Sequence, residues 1–230
     1  MLPRRRFVHR IAFFCAGGFL GTRSAWADDL FVTPTQTRGP FYPIPSIEKQ
    51  DHFDVDLTRK KEDSPIAEGE VIAIRGNVVD ISGAVLSGAI VEVWQACASG
   101  RYNHPNDKGD SPLDPNFQYW GRMQTGQDGS FSFKTIQPGK YPGRTPHIHF
   151  RIFAQKREVL ETQLYFAANE EQNMKDGVYK GVPPNQRKAV TTALESLAVN
   201  PSDKASARIP TGSFKVVLGP KTDSKSTPGM

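Results

Sequence analysis

Cysteine is nearly missing: the chain of 230 residues has two, Cys15 and Cys97. Cys15 falls in a leader-like segment, so the remainder keeps a single thiol and can close no internal disulfide. Stability must then come from a packed core, which this length is sufficient to build. Cys97, inside the apolar run VEVWQACA, reads as a buried structural thiol. Acid is missing from a second place. Residues 1–27 hold Arg4, Arg5, Arg6, Arg10 and Arg23 and neither Asp nor Glu, and setting them aside leaves 24 of the 29 Lys and Arg, equal to the 24 Asp and Glu. The pI of 9.2 therefore belongs to the leader, which argues against a nucleic-acid partner. Long apolar runs are also missing. The run IAFFCAGGFLG falls well short of the ~20 residues that span a bilayer, so no membrane anchor is expected after processing.

What the leader does have is the layout of an export signal: a charged PRRRFVHR, that apolar run, and SAWA, with Ala25 and Ala27 preceding an expected cleavage between Ala27 and Asp28. Arg4 and Arg5 with Phe7-Val8 resemble a twin-arginine signal, and a general secretory signal rich in arginine is the other reading. Either one predicts a bacterial protein that is exported, to the periplasm or beyond.

Helical periodicity is scarce. Only PNQRKAVTTALESLA has helical composition, behind a proline-bounded start. Strand patterns recur instead: EVIAIRGNVVD, AIVEVWQA, GRMQT, SFSFKTI, TPHIHFRIFA, TQLYFA and SFKVVLGP, with turn residues between them. Asp128-Gly129 predicts a hairpin between GRMQT and SFSFKTI. From 28 to 69 the prolines at 34, 40, 43 and 45 exclude regular structure around TPTQTRGPFYPIP, which reads as an extended arm laid over the domain. The expected fold is mainly β: a β-sandwich of mixed-topology sheets with an extended N-terminal arm and one peripheral helix. Its parts are the export signal at 1–27, the arm at 28–69, the sandwich domain at 70–220 and a disordered tail at 221–230.

Five histidines are present, and two of them stand one residue apart in HIHFRIFA. Alternation in a strand puts Ile148, Phe150, Ile152 and Ala154 on one face and His147, His149 and Arg151 on the other. Two imidazoles on one face suit a single metal ion, although such a pair alone is more often hydrogen-bonded or at the surface. No cysteine or nearby acid completes the set. The unusual neighbours are tyrosines in stiff or polar loops, Tyr141 in PGKYPG and Tyr102 in SGRYNHPND, each of which on its own reads as a half-buried aromatic with a bonded hydroxyl.

Several separated stretches, VEVWQACASGRYNHPND, SPLDPNF, GRMQTGQDGSFSFKTIQPGKYP and RTPHIHF, closely resemble the intradiol ring-cleavage dioxygenases, in particular the iron-bearing subunits of the protocatechuate-cleaving branch. TPTQTRGPFYP resembles the family's QT-x-GPF segment, and the similarity runs over about residues 33–166. The resemblance implies one Fe(III) per chain held by Tyr102, Tyr141, His147 and His149, with a catechol and O2 as substrates and a cis,cis-muconate-type diacid as product. Phenolate is a hard anion suited to Fe(III), and a bound cation drives a tyrosine far below its free pKa near ~10. The resemblance further makes Tyr141 both ligand and base, makes Arg144 a catalytic and substrate-binding cation, and places Gln163 and Tyr42 around the substrate. This chain departs from the pattern between Tyr141 and His147, where only PGRTP stands and Gly143 takes the place of a tryptophan. A more open pocket is expected, which weakens the case for protocatechuate as the substrate. A homo-oligomer or a partner subunit stays open. Two other readings compete: a transthyretin-like binding module, which leaves the four donors as coincidences, and a zinc protein, for which phenolate is a poor ligand.

Overall fold

The computed structural model describes residues 31–44, 54–196 and 209–220; the leader at 1–27 and the tail at 221–230 lie outside them. Among the described residues nine strands form two sheets. One has the order β4-β1-β9-β8 and the other β3-β2-β5-β6-β7. In the first, β1 (Val71–Asp80) runs antiparallel to β4 (Ser130–Ile136) and parallel to β9 (Thr211–Leu218), with β8 (Leu194–Glu195) beyond. In the second, β2 (Ile90–Trp94) lies between β3 (Trp120–Gln124) and β5 (His147–Ala154). Beyond β5 come β6 (Arg157–Phe166) and a parallel β7 (Thr191–Thr192). Both sheets are mixed, as expected.

Alternate residues of each strand point between the sheets. Ile72, Ile74 and Val78 of β1, Phe131 and Phe133 of β4, and Phe214 and Val216 of β9 meet Val91 and Val93 of β2 and Ile148, Phe150 and Ile152 of β5. Each such side chain, fully buried, contributes about 1.5–3 kcal/mol. Cys97 is buried in the same core as a free thiol.

The far side of the β2-β5-β6 sheet is covered too, and this cover positions the site. Residues 31–44 cross it without regular structure. Thr33 N donates to Val217 O and Val217 N to Thr33 Oγ1, both at 2.9 Å, while Gln36 N donates to Glu161 O at 2.8 Å. A 3₁₀ turn at Ala167–Asn169, then α1 (Glu170–Asn173) and α2 (Gly177–Gly181), pack over the other end, where Tyr165, Tyr179, Val182 and Val190 form a small core. Among the described residues no helix is long and apolar enough to cross a membrane.

Two local expectations are corrected. GRMQT and SFSFKTI do not pair: β3 belongs to one sheet and β4 to the other, so the Asp128-Gly129 turn carries the chain across the sandwich. The turn itself is there, with Gly129 at φ 72° and Ser130 N donating to Asp128 Oδ1. The segment from Pro184 is helical only to Val190, as a 3₁₀ helix, and then enters β7 and β8. The β-branched run Val190-Thr191-Thr192 favours extension once β6 offers an edge. The last residues of that segment, from 197, lie outside the described ones.

Candidate metal and substrate site

His147 and His149 lie on the covered face of β5, both only 2% exposed. The carbonyl of Thr145 can only accept, so its 2.6 Å contact with His147 Nδ1 puts the proton there and leaves the Nε2 lone pair free. That lone pair faces His149 Nε2 at 3.2 Å. Trp94, paired with His149 in the sheet register, stacks on its ring at 4.6 Å and 7°. Burial, reinforced by the Arg144 charge, holds the His147 pKa down to about 3. Burial and the neighbouring His147 push His149 well below its usual value as well.

The loops after β2 and before β5 bring the two tyrosines to this pair. The Tyr141 hydroxyl is 3.4 Å from His147 Nε2. Tyr102 lies edge-on to both Tyr141 and His149, at ring centroid distances of 5.6 and 6.3 Å. From the arm, Phe41 closes over Tyr102 at 4.8 Å. Gly39 passes so close that a side chain there would touch the His149 ring. Burial, then the nearby Tyr141 phenol, raises the Tyr102 pKa well above its usual 10. Burial also raises Tyr141, against the pull of the Arg144 guanidinium.

Arg144 is held on every edge. Its Nε donates to Asp176 Oδ2 at 2.8 Å, its Nη1 to the Tyr141 hydroxyl at 3.2 Å, and its Nη2 to Gln163 Oε1 through a short contact. Gln163 is fully buried and fixed in turn, with Nε2 donating to Thr37 O of the arm at 2.7 Å and Oε1 accepting from Tyr165 Oη at 3.0 Å. Beside Tyr141 and Arg144 opens a cavity of about 490 Å³, walled also by Lys140, Gly143, Lys175 and Asp176. Gly143 has φ 78° and nothing within 4 Å of where a side chain would begin, so the short loop leaves this side open.

A cation fits these donors. The Tyr102 hydroxyl is buried and makes no hydrogen bond of normal geometry with any described residue, a costly state for a polar atom. Two Nε2 atoms 3.2 Å apart have the spacing of neighbouring ligands on one ion with bonds of about 2.0–2.1 Å. The Thr145 carbonyl gives His147 the outer hydrogen bond typical of a metal-bound imidazole. Among the described residues no group of three or more His, Cys, Asp or Glu could hold a metal, and the side-chain oxygen beside the imidazole pair is that of Tyr141.

The structure thus brings Tyr102, Tyr141, His147, His149 and Arg144 together. Gln163 stands behind Arg144 with its amide fully committed to Arg144, Thr37 and Tyr165. Tyr42 stands one layer away, edge-on to Trp94 at 4.9 Å with its hydroxyl on Glu92 at 2.9 Å. Sequence reasoning missed Trp94 and Asp176. The alternation VEVW places Trp94 on the face opposite Val91 and Val93, a legible sign, whereas nothing local links Asp176 to an arginine 32 positions earlier.

A family model described as Dioxygenase matches residues 39–218. The beta chain of protocatechuate 3,4-dioxygenase from Burkholderia cepacia is 38% identical over 158 residues, 65% of this chain and 67% of that one. The alpha chain of the Pseudomonas putida enzyme is 31% identical over 174 residues, 70% of this chain and 82% of that one. Among solved structures, the dioxygenase domain of a dioxygenase and carbohydrate-binding fusion from Streptomyces sp. SirexAA-E superposes with a TM-score of 0.59 at 30% identity, covering 82% of this chain and 99% of that domain.

Proposed function

The chain belongs to the intradiol dioxygenase family, and on that premise we propose that it cleaves a catecholic ring between its two hydroxyl-bearing carbons with O2. The product is a cis,cis-muconate-type diacid. One observation carries the reading: a buried pair of imidazole nitrogens 3.2 Å apart, with a buried phenol that makes no hydrogen bond of normal geometry and a second phenol at a cavity wall beside it. Tyr102, Tyr141, His147 and His149 would hold one Fe(III), and all four come from this chain. Ferric iron there supplies the Lewis acidity and covalency that activate a catecholate toward O2.

The chain's own residues divide the remaining work. Tyr102 and the two histidines are enclosed and serve as fixed donors. Tyr141 borders the cavity with Arg144 Nη1 at its oxygen, and in the phenolate form it would have as a ligand it is the group placed to take a proton from an incoming catechol. Arg144, kept charged and oriented by Asp176 and Gln163, stabilises negative charge on the bound ring. Phe41 and Trp94 keep water from the closed side.

The test is optical and chemical. Purified protein loaded with ferric iron is expected to be wine-red from tyrosinate-to-iron charge transfer and to consume O2 with catechol, giving the diacid. Colourless iron-loaded protein would refute the ligand set. For the leader we propose export by the twin-arginine route; replacing Arg4 and Arg5 by lysine should leave the precursor in the cytoplasm, and unimpaired export would favour the general route.

A further inference from the structure

We propose that Asp176 is a positioning residue of this site, acting through Arg144 to keep Nη1 aimed at the Tyr141 oxygen. The inference rests on the dioxygenase reading, because that reading gives Arg144 its task. The Asp176 side chain is fully buried, and each oxygen takes two donors. Oδ1 accepts from Val178 N at 2.8 Å and Tyr179 N at 3.2 Å, capping α2. Oδ2 accepts from Arg144 Nε at 2.8 Å and Thr145 N at 3.0 Å. One carboxylate therefore ties the Tyr141–Thr145 loop to a helix of the cover.

The second oxygen is what the helix does not need. A cap requires one acceptor, and serine supplies it about as well as aspartate. The need to hold the guanidinium still explains the other oxygen. Arginine carries about 2 kcal/mol of rotamer entropy, and this one borders a 490 Å³ cavity into which it could swing. Gln163 holds only the Nη2 edge. With Nε fixed on Asp176 as well, the plane of the group is defined, and Nη1 is left facing the phenol oxygen. Burial works against charge on Asp176, but the Thr145 N–H and Arg144 outweigh it, so the carboxyl pKa is lowered and the pair stays ionised.

Asp176→Ser separates the two oxygens, since it keeps a cap and cannot reach Arg144; Asp176→Asn, which also retains a capping oxygen, is the second variant should the first fail to fold. In iron-loaded enzyme the variant is expected to keep its colour and to lose about 10²-fold in kcat, the scale of a ~1 Å misplacement, with KM changing far less. In an Arg144→Leu background the same change should cost only about twofold further, the scatter of independent sites. In metal-free protein, amide exchange at Thr145 should accelerate while Val178 and Tyr179 stay protected. Equal losses of kcat in both backgrounds, or no loss in either, would overturn the proposal. Wild-type enzyme that holds iron but cleaves no catechol would instead sink the dioxygenase reading, leaving the exchange result to judge the clamp alone.

Discussion

Tyr102 and Tyr141 share a proposed role but little of their surroundings. Tyr102 is 3% exposed, lies under Phe41 of the arm, and its hydroxyl has no hydrogen-bond partner of normal geometry. Tyr141 is half-buried, borders the cavity, and has both Arg144 and His147 at its oxygen. The difference teaches a division of labour: a donor that cannot leave and has nowhere to go, beside one with alternative partners and room to move. Burial sets the first, and a short glycine-containing loop with an ion-paired arginine sets the second.

The largest expected effect breaks the closed side. Tyr102→Phe should bleach or shift the charge-transfer band and cut catechol cleavage by more than the ~10–100-fold typical of losing an outer partner; absorption and O2 uptake check it, and full activity would remove Tyr102 from the ligand set. Tyr141→Phe should keep the iron and a tyrosinate colour, now from Tyr102 alone, while kcat falls about 10²-fold. A colourless Tyr141→Phe protein would reverse the comparison. Phe41→Ala should destabilise the protein by about 1–2 kcal/mol, less than a full core deletion because the ring is only partly buried, as read by thermal unfolding. The smallest effect is acid dependence. Asp176 has a folded pKa below its ordinary 3.8, so the unfolded chain binds the proton more readily; its stabilisation is fully present above pH 3.8 and is lost as pH falls through the folded value. Unfolding curves of wild type and Asp176→Ser should therefore draw together below pH 3.8.

Much of this was readable from the chain because it depends on alternation. HIHF could place two imidazoles opposite a core row by the period of a strand alone, and the sandwich followed from strands set between turn residues. Pairing was less legible. The Asp128-Gly129 turn has the right local chemistry for a hairpin, yet turn chemistry fixes a reversal of direction, not which sheet receives the next strand. The stretch from Pro184 has helical composition, but the free edge of β6 captures its β-branched residues. Asp176 was beyond reach for another reason. Its meaning lies in a contact with Arg144 across 32 positions, and only the folded cover over the sheet creates it.

That cover is fastened at one end by the exchange of hydrogen bonds between Thr33 and Val217, 184 positions apart. An arm made early in synthesis thus gains this clasp only when the final described strand has emerged, whereas its bonds to β6, such as those of Gln36 to Glu161 and Thr162, need nothing beyond that strand. Polypeptides halted before residue 211 would keep every proposed donor and the β6 contacts of the arm, and would lack the tie that holds its first described residues down.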